Sequence, residues 1–147
     1  MGAEPWYYFV PYQPDIGKAL QELRQREFEA GRYNPVQQFP DFPPDLSAPG
    51  PGAGHATIEE ALEASGADGT RSIIDMDRTG ETPDYSVVTQ MPEDLAFELF
   101  GTPQPTREVI EDGGAVASVM ERGQGMYTIL YRDGRPAEIL FAGMSYD

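Results

Sequence analysis

Two aspartates, Asp75 and Asp77, stand one residue apart in RSIIDMDRTG (residues 71 to 80), after Ile73 and Ile74 and ahead of Thr79 and Gly80. Carboxylates at this spacing can attack phosphorus, move protons or offer oxygen ligands to a hard cation. Asp84 follows closely enough to join them. The stretch therefore raises three chemistries: phosphoryl transfer, cation binding, and plain solvation of a strand end.

With Ile73 and Ile74 ahead and Thr79 behind, the aspartates resemble the first motif of the haloacid dehalogenase-like phosphatases. The resemblance implies Asp75 as nucleophile and Asp77 as acid and base. That chemistry also needs a cation on the transferring phosphoryl group, normally a downstream lysine, and a further acidic pair for magnesium. Here the only lysine is Lys18, upstream, and Gly80 stands where the family has a bulky apolar residue. The stretch also begins about half-way along, which leaves too little chain for the family's core.

Asp75, Asp77, Thr79 and Gly80 also fall at positions 1, 3, 5 and 6 of an EF-hand loop, but position 12 is Ser86 where a bidentate Glu is required. The reading that remains is a strand, RSIIDM, delivering acids to a turn. A small metal-assisted hydrolase or phosphotransferase at Asp75, Asp77 and Asp84 is kept as the alternative. No metal site and no cofactor is expected.

Two other side chains could do chemistry. His55 is the only histidine and precedes a helix in PGAGHAT, so any triad or transition-metal site must use it; a loop histidine is the expectation. Glu27 lies between Leu20 and Leu23 on the apolar stripe of the first helix, at 100° per residue. Its carboxylate must find a donor, and an arginine or a backbone amide is the expected partner.

These residues need elements to hold them. WYYFVPY (6 to 12) reads as a strand, and DIGKALQELRQREFEAGRY as a helix stopped at Gly31. Residues 34–54 hold six prolines and three glycines, which exclude helix and sheet, while Phe39, Phe42 and Leu46 suggest an extended segment lying on the domain. Thr57 and Glu60 form a capping box for a short helix closed by Gly66. YSVVTQ reads as a strand, PEDLAFELF as a helix ended by Gly101, and PTREVIED as a further short helix stopped at Gly113 and Gly114. AVASVMER fits strand or helix equally.

GMYTILYRDGRPAEILFAG is two apolar runs about Asp133 and Gly134, a favoured two-residue hairpin turn. That turn pairs Tyr131 with Pro136, Ile129 with Glu138 and Tyr127 with Leu140 on one face. It places Met126, Thr128, Leu130, Ala137, Ile139 and Phe141 on a core face. Tyr127, Tyr131 and Glu138 then form a candidate interface, since tyrosine buries area and keeps a polar tip. Arg132 and Arg135 face each other at the tip. The sum is a single α+β domain over 1–147, a small, mostly antiparallel sheet with helices on one face.

Composition bounds the function. The chain has 147 residues, no cysteine, and 25 acids against 10 bases, a net charge of −15. Disulfides, thiolate metal sites and thiol nucleophiles are excluded. Residues 57–98 hold eleven acids and two bases. So negative a chain is repelled by phosphate backbones, so direct nucleic-acid binding is not expected; basic proteins are attracted. The N-terminus lacks the basic head and apolar middle of a secretory signal, and no apolar run approaches the ~18 residues of a membrane span. The expectation is a soluble, cytoplasmic, non-enzymatic domain. It engages a basic protein partner, as an immunity protein, antitoxin or inhibitor would, through Asp75, Asp77, Asp84, Tyr127, Tyr131 and Glu138. A structural or oligomerising module pairing through the hairpin is a further alternative.

Overall fold

A computed structural model describes residues 2–110 and 113–147. β1 (Pro5–Pro11) leads to α1 (Ile16–Ala30), then to the proline-rich excursion and α2 (Ile58–Ser65). β2 (Arg78–Gly80), β3 (Val87–Gln90), α3 (Glu93–Phe100), α4 (Gly113–Ala117), β4 (Gly125–Arg132) and β5 (Arg135–Met144) follow. The strands form one sheet in the order β1-β5-β4-β3-β2. Ladders of seven and eight positions are antiparallel, and two ladders of three are parallel. The fold is therefore α+β on a mixed sheet in which antiparallel pairing predominates.

Local signals explain the long helix. The Asp15 carboxylate accepts from the Lys18 amide at 3.0 Å, which caps the first turn, and Gly31 ends α1 at φ 76, its amide donating to Glu27 and Phe28. The buried stripe is Ala19, Leu20, Leu23, Arg24, Glu27 and Phe28.

Helices cover both faces of the sheet, where one face was expected. Trp6, Tyr8, Val10, Ile139 and Phe141 share a core with α1, Ile73 and Ile74. Leu140, Ala142, Met126 and Leu130 share a second core with Ala96 of α3 and with Val116 and Ala117 of α4. Tyr7 and Phe9 pack on this second core. Burial on both sides suits the four consecutive aromatic residues of β1, Trp6 to Phe9.

Trp6, Gly143 and Gly125 are in register across three strands. The indole lies over both glycines: a β-carbon on Gly143 would stand 2.4 Å from the Trp6 ring, and one on Gly125 3.0 Å from it. Bare backbone thus makes room for the largest side chain in the core.

The excursion 34–54 lies on the domain, as expected. Phe42 and Leu46 pack on the first core, the Tyr7 hydroxyl donates to the Phe42 carbonyl at 3.0 Å, and the Gly52 amide donates to Ala30 at 2.9 Å. Phe39 is half exposed, with the Arg71 guanidinium 4.6 Å over its ring.

Four sequence expectations need correction. RSIIDM is not a strand: Ser72 caps a 3-10 turn at Ile73–Asp75 by accepting from the Ile74 amide, and the strand comes later, at Arg78–Gly80. A hydroxyl that bonds backbone two residues on competes with strand pairing. PTREVIED is no helix in its described part. Residues 107–109 form a turn beside an isolated bridge from Thr106 to Tyr131, while Glu111 and Asp112 lie outside the described residues. Gly113 and Gly114 begin α4 rather than stop a helix, which also resolves the start of AVASVMER as helical.

The fourth correction is the hairpin register. Arg132 faces Arg135 and Tyr131 faces Pro136, but a bulge after Leu130 sets Leu130 against Glu138, Ile129 against Ile139 and Tyr127 against Phe141. One extra residue, Ala137, flips every side chain below it to the other face.

Candidate functional site

Residues 69–76 are buried without a break. Within them the Thr70 amide and hydroxyl donate to Asp75 Oδ1 at 2.7 and 2.8 Å. Asp75 Oδ2 has no hydrogen-bond partner among the described residues. Burial pushes the Asp75 carboxyl up to about 6, against the Thr70 donors and the Arg24 charge, which favour its ionised form. Arg24 spans the same region, donating from Nη2 to the Ile74 carbonyl at 3.0 Å and from Nη1 to Gln21 at 2.7 Å. Burial disfavours its charge; Asp77, Glu59 and Asp75 support it.

Asp77 and Asp84 lie outside this layer. The Asp77 amide donates to the Ser86 carbonyl at 2.8 Å, and its carboxylate is exposed, 3.4 Å from Arg78. The exposed Asp84 carboxylate accepts from the Tyr85 amide at 2.7 Å. The structure therefore brings Asp77 and Asp84 to one end of the β2–β3 loop and holds Asp75 inside. Among the described residues no three His, Asp or Glu side chains are grouped to hold a metal ion.

Topology explains why that loop is outside. β2 and β3 are parallel, so residues 81–86 must run back along the strands instead of turning tightly, and β2 is an edge. The return puts Glu81, Asp84 and Tyr85 in solvent and Ser86 at φ 64. Tyr85 is 64% exposed, its ring 6.0 Å from that of Tyr146, and the Ser86 and Tyr146 hydroxyls are hydrogen-bonded. Gly123 packs beneath the pair; a β-carbon there would stand 2.5 Å from each ring.

The hairpin candidates do not form one surface. Tyr127 packs half-buried on the first core beside Phe141, and its hydroxyl is raised by burial. Glu138 projects from the opposite face and pairs with Arg107 at 2.8 Å. Tyr131 is half-buried and donates its amide to the Pro105 carbonyl. Both hairpin strands have neighbours on both sides, though β3 pairs with β4 only over Gly125, Met126 and Tyr127.

Glu27 finds the expected arginine. Arg32 donates to it through Nε at 2.9 Å and Nη2 at 2.6 Å, and through Nη1 to the Ala48 carbonyl at 3.0 Å. His55 is a loop histidine, its Nδ1 2.7 Å from the Tyr33 hydroxyl. The sequence pattern did not single out Tyr85 or Tyr146, and it marked Ser86 only as the residue that fails an EF-hand loop. The available signal was Tyr85 itself, an aromatic next to an acid in the most negative part of the chain, ahead of the apolar pair Val87 and Val88.

Of the eleven acids in 57–98, ten are exposed and only Asp75 is buried. Among the described residues, only Asp68 and Asp77 of these ten are paired with a base. Fold and surface together define an acidic α+β domain with a mixed five-stranded sheet. No family model, curated protein or solved structure matches the chain, and no described helix is long and apolar enough to cross a membrane.

Proposed function

We propose that this chain is a non-enzymatic binding domain that engages a basic protein through its acidic middle third, in the manner of an immunity protein, antitoxin or inhibitor. The observation that carries the reading is the set of ten exposed carboxylates in residues 57–98, eight of them without a basic partner among the described residues. Unpaired exposed charge of one sign adds little to a fold but accelerates the encounter with an oppositely charged surface.

The test is kinetic. Basic proteins encoded beside this chain in its host, titrated against it, should include one whose association rate falls at least about tenfold between low and physiological salt, while its dissociation rate changes less. Neutralising Glu59, Glu60 and Glu63 to Gln should slow association without unfolding the domain. Association insensitive to salt and to these substitutions would count against the proposal.

A further inference from the structure

We infer that Tyr85, Tyr146 and the Asp84 carboxylate form a receptor for a single arginine side chain of the basic partner. The inference rests on the reading that a basic protein is bound, and it names where one of its side chains docks.

Tyr85 is the most exposed large hydrophobic side chain among those described, at 64%, and it sits in the most acidic part of the chain. An exposed ring gains nothing from the fold by standing in water, yet this one is built in place. Its face is paired with Tyr146 at an interplanar angle of 36°, Tyr146 is held by the Ser86 hydroxyl, and Gly123 closes the floor. The Ser86 amide donates to the Gly123 carbonyl at 2.8 Å, which ties the loop to that floor. Asp84 is fixed by the Tyr85 amide. Asp77 is partly answered by Arg78 at 3.4 Å, which leaves Asp84, the residue before Tyr85, as an exposed carboxylate without a base among the described residues.

An exposed ring with an exposed carboxylate on the preceding residue suits a guanidinium better than an ammonium. The planar group stacks on the aromatic face and still directs two N–H donors to the acid; lysine offers only a hydrated point charge. The tilted second ring shields one side of such a stack from water.

Octa-arginine and octa-lysine peptides, titrated into the intact chain at low salt with the tyrosine ring resonances followed by NMR, test this. Octa-arginine should move the Tyr85 and Tyr146 ring signals and bind at least threefold tighter than octa-lysine. Tyr85→Ala should erase that preference and weaken octa-arginine about two- to fivefold, the size of an exposed cation–π contact. Tyr85→Phe should keep it, and Phe97→Ala, at another ring more than half exposed, should leave it unchanged. Equal affinity of wild type and Tyr85→Ala for octa-arginine overturns the receptor while leaving the acidic-surface reading intact. Failure of both peptides to bind at any salt overturns both.

Discussion

Asp75 and Tyr146 meet over Gly69: the carboxylate Oδ2 and the ring Cδ2 lie 2.8 and 2.6 Å from the point where a β-carbon on that glycine would stand. The unpartnered oxygen of a buried acid is thus covered by an aromatic ring and a bare stretch of backbone, and the Thr70 donors reach only the other oxygen. An acid in such a place is more at ease protonated.

Asp75 should therefore make the domain less stable as pH rises. Its folded value, about 6, lies above the 3.8 of the free side chain, so between pH 4 and 6 the native state holds a proton that the unfolded chain has released. Stability from this group is present below about pH 4 and falls as pH rises to about 6, by about 3 kcal/mol in all. Asp75→Asn should be at least as stable as wild type at pH 7.5, with the difference closing towards pH 4. Urea unfolding across that range checks this; a variant less stable at every pH would show that the charge supports the fold.

In the buried Glu27 and Arg32 pair each charge is answered. Arg32→Ala strands a wholly buried carboxylate and should cost about 3–5 kcal/mol at neutral pH. Replacing both at once, Glu27→Leu with Arg32→Met, should recover most of that loss, and a double-mutant cycle in urea measures the recovery.

Arg71 holds two separate parts of the chain. It donates to the Gln38 carbonyl at 3.0 Å and the Asp147 carbonyl at 3.3 Å, and it covers Phe39. Arg71→Ala should leave the sheet intact and speed limited proteolysis within 36–48, read by mass spectrometry of the fragments. Unchanged cleavage there would assign the order of the excursion to Phe42 and Leu46 alone.

Gly143→Ala sets a methyl group against the Trp6 ring and 2.5 Å from the Gln124 carbonyl. Overpacking of this kind should cost about 1–3 kcal/mol. Pairing it with Trp6→Phe should restore part of the loss, and thermal melts of the single and double variants decide it.

Most elements were legible because their signals are local. Asp15 and Gly31 bracket α1, Thr57 accepts from the Glu60 amide at 3.2 Å, and Asp133 with Gly134 turns the hairpin. Glu60 reaches back to the Ala56 amide rather than to that of Thr57 itself, a one-residue slip of the expected box. Glu27 was legible too, since helical phase alone placed it inward. What failed depended on tertiary context. Nothing near Leu130 announces a bulge, and with it went the grouping of Tyr127 with Glu138. Ile73 and Ile74 suit a strand as well as a buried 3-10 turn, and their placement between Tyr8 and α1 adds to the Ser72 cap in selecting the turn. Tyr146 reaches Ser86 across 60 positions of sequence, a distance over which pattern carries no information.

Trp6 is the only tryptophan, fully buried against Gly125 and Gly143, with an indole nitrogen that has no hydrogen-bond partner among the described residues. It is a ready optical gauge: its emission should be blue-shifted in the native state and move red as the sheet opens. Tyr85 stands in solvent, so the docking proposed for it would be read at its own ring instead. One unlabelled sample thus offers two independent spectroscopic channels, separating loss of structure from occupancy of the surface.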